Sequence, residues 1–342
     1  MAHPLEGESK RASAAETLLL SRADVERLLT PRACIDAVED AFRQLGEGKV
    51  PPPGILGVQA GEGSFHVKAG QLTVDRPYFA AKLNANFPRN GERHGLPTIQ
   101  GVVVLCDASR GTPLAIMDSI AITAMRTAAA TAIAAKFLAP DRCDAALICG
   151  CGGQAAAQLR ALASVRLLPR VYAFDQDAMR TASFAAVIGS ELGIDVRPAA
   201  SLAEAASACD IIVTCTTARR FFITREMVRP GSFVSAVGAD HEEKQEIDPR
   251  LMASATVVTD LTEQAAKIGD LHHAIEAGAM SRGDVHAELG EIVAGRKAGR
   301  TRTDETIVFD STGTGLQDVA AAIAVYRRAI DENAGSRFAL AR

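Results

Sequence analysis

This chain lacks the features that would place it in several broad classes. None of its seven cysteines forms a CxxC pair, and Cys149 and Cys151 are too close together for the usual zinc spacing. They read as reduced, mostly buried thiols of a cytoplasmic protein. Charge of one sign is not in excess: the net charge is −4, which offers no broad attraction to nucleic acid or to an anionic membrane. No uninterrupted apolar run approaches the ~18 residues of a membrane span, and the charged N-terminus lacks the apolar core of a signal peptide. The expected partners are therefore small molecules and other copies of the chain.

What is present is an ordinary globular composition, 48% hydrophobic and 23% charged over 342 residues. That length exceeds what a single core usually holds. Residues 1–15 read as a disordered leader. Ser21-Arg-Ala-Asp24 has capping-box spacing ahead of a short helix. Thr30-Pro31 starts a second helix with Ile35, Val38, Phe42 and Leu45 on one face. Pro51-Pro-Pro-Gly54 then breaks the chain before strand-like runs such as Phe79-Ala-Ala-Lys-Leu and Gly101-Val-Val-Val-Leu105. Residues 118–138 contain no glycine or proline and read as a nearly buried helix between two domains. Its one cation outside the last turn, Arg126, needs an anionic partner, either a structural ion pair or a ligand.

Ala145-Ala-Leu-Ile-Cys-Gly150-Cys-Gly152-Gly153-Gln154-Ala155 has the order of a buried strand, a tight glycine turn and a helix start. Gly150 suits the turn, Gly152 leaves room for a pyrophosphate against backbone N–H groups, and Ala155 allows close helix packing. Asp175 ends the next apolar run, where a carboxylate accepts hydrogen bonds from ribose hydroxyls and repels a 2′-phosphate. NAD is therefore favoured, with NADP possible. Strand and helix alternate from there: a helix over residues 178–192, a strand near 195–198, a helix over 201–208 and a strand over 210–216. Runs at 232–237, 256–260 and 306–310 complete the series. The fold class is α/β, a Rossmann-type doubly wound parallel sheet plus a distinct α+β domain in the first third of the chain. Ligands of such sheets lie beyond the strands' carboxyl ends, which brings Thr216, Thr217, Val237, Gly238 and Asp240 to the side of the glycine turn. Residues 271–289 read as interrupted helix, 316–331 as a helix returning to the first domain, and 333–342 as a frayed tail. His272 and His273 are adjacent rather than one helical turn apart, so no metal is expected.

Lys82-Leu-Asn-Ala-Asn-Phe-Pro88, Ile122-Thr-Ala-Met-Arg126-Thr127-Ala-Ala-Ala-Thr131, the glycine turn and Ser311-Thr-Gly-Thr-Gly-Leu-Gln-Asp318 together resemble the ornithine cyclodeaminase/mu-crystallin family. The resemblance runs from about residue 20 to about residue 330. It implies a homodimer with a substrate and dimerisation domain over residues 16–122, an NAD-binding Rossmann domain over 123–315 and a returning helix over 316–342. By motif position it makes Lys82 the pocket lysine, Arg126 the carboxylate-binding arginine and Asp240 the catalytic carboxylate, with Thr127 beside the cofactor. The family usually carries another arginine in a proline-containing segment before the pocket lysine; Pro51-Pro-Pro-Gly-Ile-Leu has none. Lys68 is the nearest cation that could stand in, or else a strand lysine facing solvent, and His66 shares its face. The implied activity is an NAD(P)-dependent imino acid reductase or amino acid dehydrogenase. The alternatives are a cyclodeaminase that recycles NAD and a binding protein with little catalysis.

Overall fold

The computed structural model describes residues 16–340, so the leader expected over residues 1–15 lies outside it. Its strands fall into two large sheets and one pair. The first sheet has seven strands, five of which form an antiparallel meander from Gly54–Ala60 through Gly63–Thr73, Pro77–Asn86 and Ile99–Asp107 to Thr112–Asp118. Beyond that meander Thr17–Leu20 pairs parallel with Thr112–Asp118, and Ser336–Phe338 pairs antiparallel with Thr17–Leu20. The tail expected to fray is thus a strand as far as Phe338. Its three residues are exposed, and only their backbone pairing, invisible to a hydropathy pattern, holds them.

Side chains alternate across this sheet. Tyr78, Ala80 and Lys82 on one strand, and Val103 and Leu105 on the next, face inward, where the helices Ser119–Leu138 and Gly315–Asp331 cover them and Pro31–Gly46 packs on those helices in turn. The opposite face is open. Leu56, Val67, Leu83 and Val102 form one row across four strands, and Leu56, Leu83 and Val102 are 58%, 40% and 39% exposed.

The second sheet has eight strands, all parallel. From Ala146–Cys149 the chain steps outward to Arg170–Phe174 and Asp195–Pro198. It then crosses back to Ile211–Thr214 on the other side of Ala146–Cys149, beyond which lie, in spatial order, Phe233–Ala236, Ile307–Asp310, Thr256–Thr259 and Ala287–Glu288. The reversal leaves a crevice between the carboxyl ends of Ala146–Cys149 and Ile211–Thr214. A pair of strands that the hydropathy pattern does not reveal, Arg219–Ile223 with Gln245–Ile247, forms a separate two-stranded sheet. Residues 271–289 are less helical than expected. Helix Asp270–Glu276 ends at the left-handed Gly278, and Leu289 starts a second helix, Leu289–Val293, rather than ending the first.

Helix Ser119–Leu138 joins the two sheets, and a boundary at residue 122/123 falls inside it. Its 20 residues are long and apolar enough to cross a membrane by length and composition, although no uninterrupted apolar run is that long. Interleaved threonines and one arginine hide the average from a search for runs. Here the helix is core: Ile122, Ala128 to Ala130 and Ala132 to Ala135 are buried between the helices Pro31–Gly46 and Ala155–Ala163. A single cluster of buried side chains runs from Leu18 in the first sheet through this helix to Phe309 in the second.

Candidate functional site

The glycine turn has the geometry of an anion cradle. Gly150 takes φ +91°, and a Cβ there would lie 2.8 Å from Thr216 Cγ2, so only glycine fits. At Gly152 and Gly153 a Cβ would meet nothing within 4 Å; these backbones face open space that a side chain would fill. Helix Ala155–Ala163 begins here with no side-chain cap, and the buried Oε1 of Gln154 has no hydrogen-bond partner. First-turn N–H groups without a cap, beside an open glycine surface, suit a pyrophosphate. Asp175 lies against the turn: its Oδ2 accepts from the Cys151 N–H at 2.8 Å and its Oδ1 from Asp177 N–H at 3.0 Å. These residues therefore fit a dinucleotide whose adenosine ribose reaches Asp175.

Two of the residues expected beside the cofactor donate to a buried carboxylate. The Thr216 hydroxyl and N–H both donate to Glu246 Oε1 at 2.7 Å, and Gly238 N–H donates to Glu246 Oε2 at 2.8 Å. Thr214 Oγ1 adds a fourth bond at 2.6 Å. The hydroxyl of Thr216 is committed to this buried carboxylate, so Thr216 shapes the crevice wall through its methyl group beside Gly150. Glu246 escapes a reading of the sequence because Glu242 and Glu243 just before it resemble a solvated acidic loop, and no local signal distinguishes the one acid that turns inward. Thr217 is exposed at the crevice rim, Val237 is buried at the end of Phe233–Ala236, and Thr127 is buried next to Arg126.

The substrate-pocket candidates converge on one buried cluster. Strand register sets Lys68 directly opposite Lys82 on the inward face of the first sheet, and the two are 8% and 3% exposed. That burial excludes the solvent-facing reading of Lys68. Lys82 Nζ donates to Asp318 Oδ1 at 2.9 Å, and Arg126 Nε lies 2.9 Å from the same oxygen. Arg126 Nη1 donates to Gln317 Oε1 at 2.9 Å, while Nη2 donates to no protein atom among the described residues. Lys68 Nζ donates to the carbonyls of Thr312 and Gly313 at 2.9 and 2.7 Å, leaving one of its three protons uncommitted. Those carbonyls belong to the loop after Ile307–Asp310, which Asp260 holds by accepting from Thr312 Oγ1 at 2.9 Å and Gly313 N–H at 2.6 Å. Gly313 takes φ +76°, and a Cβ there would lie 2.2 Å from Arg126 Nη1. Loop and guanidinium can be this close only with glycine at 313.

Lys82 and Arg126 share one buried carboxylate, with Lys68 buried beside them, and the electrostatics follow. Burial, then repulsion from Arg126, pushes Lys82 down to about 7 despite Asp318. The same two causes lower Lys68. For Asp318 burial acts upward, but Lys82 and Arg126 outweigh it and hold the carboxyl below its ordinary range. Asp318 and Gln317 are site residues that the sequence reading does not pick out. A signal exists in Ser311-Thr-Gly-Thr-Gly-Leu-Gln-Asp318, where an acid sits among apolar helix positions, yet only the fold shows that it faces Lys82 and Arg126.

Asp240 and His66 stand at the mouth. Asp240 is recessed in the cleft although half of its side-chain surface is open, and Lys244 Nζ lies 2.6 Å from its Oδ1. Burial acts to raise its pKa, but Lys244 and then Lys68 pull it below the usual value. The His66 ring centroid lies 6.2 Å from that of His241, its Nε2 is 3.0 Å from Ser64 Oγ, and burial lowers its pKa against the pull of Asp240. Loops at the carboxyl ends of two parallel strands thus meet the lysine-bearing strands of the first sheet.

A doubly wound sheet with an open glycine cradle, facing a pocket of lysine, arginine and carboxylate groups, defines a dinucleotide-dependent enzyme for a small anionic substrate. A family model described as ornithine cyclodeaminase/mu-crystallin family matches residues 15–333. An alanine dehydrogenase of Archaeoglobus fulgidus is 36% identical, with 94% of this chain and 98% of that protein aligned. The solved dimer of an archaeal alanine dehydrogenase with bound NAD superposes with a TM-score of 0.90 at 36% identity, covering 94% of this chain and 99% of that one. The Δ1-pyrroline-2-carboxylate reductase of Thermococcus litoralis, solved with NADH and L-proline, gives 0.88 at 33% identity over the same shares. This chain belongs to the ornithine cyclodeaminase/mu-crystallin family.

Proposed function

We propose that the protein is an NAD(P)-dependent oxidoreductase acting on the C–N bond of a small 2-amino or 2-imino acid, with NAD as the preferred cofactor. The carrying observation is the burial of Arg126, Lys82 and Lys68 at the carboxyl ends of the parallel strands, on the side of the glycine cradle. The similar proteins named above, an alanine dehydrogenase and an imine reductase, support the reading.

In this reading Arg126 Nη2 and the third proton of Lys68 bind the substrate carboxylate, which fixes C2 and its nitrogen relative to the cleft. Nicotinamide supplies the hydride acceptor or donor when bound. Lys82, poised at about 7, gives a proton to the nitrogen during reduction and takes one from the amine during oxidation. Asp240 holds the amine at the open side. The buried sheet face and the loop 311–314 keep water from Lys82.

The protein acts as a homodimer in this proposal. The exposed row Leu56, Leu83 and Val102 is an apolar sheet face that a second copy would cover, and the archaeal relative is a dimer. Light scattering of Leu83→Asp should then report a monomer where the wild type reports a dimer.

The test of function is a panel of cyclic imine carboxylates, 2-oxo acids with ammonia, and diamino acids, each followed by the absorbance of reduced nicotinamide. Stoichiometric NADH consumption with an imine is expected. Ammonia release from a diamino acid with no net cofactor change would make the protein a cyclodeaminase instead. Cofactor binding with no turnover of any member would overturn the enzymatic reading.

A further inference from the structure

A cluster outside the catalytic cleft brings metal-ligating atoms together on helix Asp270–Glu276. His272 and His273 are sequence neighbours and do not share a helix face, which is the ground for expecting no ion there. The helical angles point the other way. At 100° per residue His273 lies about 100° from His272, and Glu276, four and three positions on, falls about 40° round, between them and one turn above. The ligand atoms of all three lie within 4.8 Å of one another. His272 Nε2 is 3.5 Å from Glu276 Oε1, and His273 Nδ1 is 3.9 Å from Glu276 Oε2.

A second observation concerns which nitrogen is free. His273 Nε2 lies 2.9 Å from the carbonyl oxygen of Lys244 and must donate to it, since a carbonyl only accepts. The neutral ring then carries its lone pair on Nδ1, the atom that faces Glu276. A backbone acceptor that fixes the tautomer of an imidazole in this way is the usual support of a metal-bound histidine. The two imidazoles are 22% and 18% exposed, so an ion could enter without unfolding the helix.

We propose that His272 Nε2, His273 Nδ1 and the Glu276 carboxylate bind one divalent zinc-class ion, with its remaining position open to water. Two imidazoles and one carboxylate suit Zn2+, Co2+ or Ni2+ rather than Mg2+ or Ca2+, which favour oxygen ligands. The ion ties the helix to the segment 241–245, because His273 grips the Lys244 backbone while the Lys244 ammonium pairs with Asp240. The site is separate from the proposed reaction and stands whether or not that reaction is the right one.

The experiment is titration of chelator-stripped, full-length protein with Zn2+ by calorimetry and with Co2+ by its visible absorption. One saturable ion per chain is expected. His272→Ala and Glu276→Gln, both partly exposed and outside the core, should each weaken it by about tenfold or more. His241→Ala removes the other imidazole pair, His66 with His241, and should leave binding unchanged. The absence of saturable binding would overturn the proposal, as would retention of full affinity in both ligand variants or loss of the ion in His241→Ala. Circular dichroism of each variant confirms that the helix is intact.

Discussion

Replacing Asp318 by Asn keeps the shape of the side chain and removes the one negative charge that Lys82 and Arg126 share at 2.9 Å. All three groups are buried, so water does not screen the loss, and removing one partner of a buried pair typically costs ~3–5 kcal/mol. Part of that cost can be relieved. Lys82 already titrates at about 7, and without the carboxylate it loses its main reason to hold a proton. An opposite charge at this range shifts a pKa by ~1–3 units, each worth ~1.4 kcal/mol. Lys82 in the variant should therefore become neutral well below pH 7, and the loss of thermal stability should be larger at pH 6 than at pH 8. In the direction of reduction Lys82 must carry the proton it gives. The wild-type kcat/KM for a cyclic imine carboxylate then falls as pH rises through about 7, and in Asp318→Asn that fall moves down by ~1–3 units. The substrate's own ionisation is common to both enzymes, so the difference between the two profiles reports the protein. An unchanged midpoint, or one that moves up, would refute the assignment of Lys82 as the proton donor governed by Asp318.

Gly313→Ala places a Cβ 2.2 Å from Arg126 Nη1 at a backbone angle of φ +76°, so KM for the substrate should rise about tenfold or more and the melting temperature should fall; steady-state kinetics and a thermal scan check both. Asp175→Ser removes the carboxylate beside the glycine turn and should raise kcat/KM with NADPH relative to NADH by about tenfold, measured with the two reduced cofactors in parallel. Asp310 is buried next to the acids Asp260 and Glu246, and burial raises its pKa above the ordinary value. A raised carboxyl binds its proton more tightly in the folded state, so stability is highest below the unfolded value near 4 and declines as pH rises through the raised folded value. Asp310→Asn should flatten that decline in denaturant titrations across pH 4 to 8.

Much of this architecture is legible in the order of residues. The glycine turn, the alternation of strand and helix after residue 145 and the isolated Arg126 are local patterns with local causes: a backbone that must bend without a Cβ, buried strands that are apolar throughout, and a charge that needs a partner. These suffice for the sheet type and the cofactor class, whereas the pocket roles of Lys82, Arg126 and Asp240 rest on the resemblance to the family's motifs. What they leave out depends on atoms far apart in the chain. Nothing near Asp318 says that it meets Lys82, 236 positions away, nor does anything near Glu246 say that it gathers Thr214, Thr216 and Gly238. Strand Ser336–Phe338 has no apolar alternation because it is held by backbone bonds to Thr17–Leu20. The sequence by itself determined which residue types were available and the local shapes they take. Tertiary structure alone decided which charges meet in the dry interior, because an interaction between buried groups depends on their separation in space and on the exclusion of water, and neither is a property of neighbouring residues.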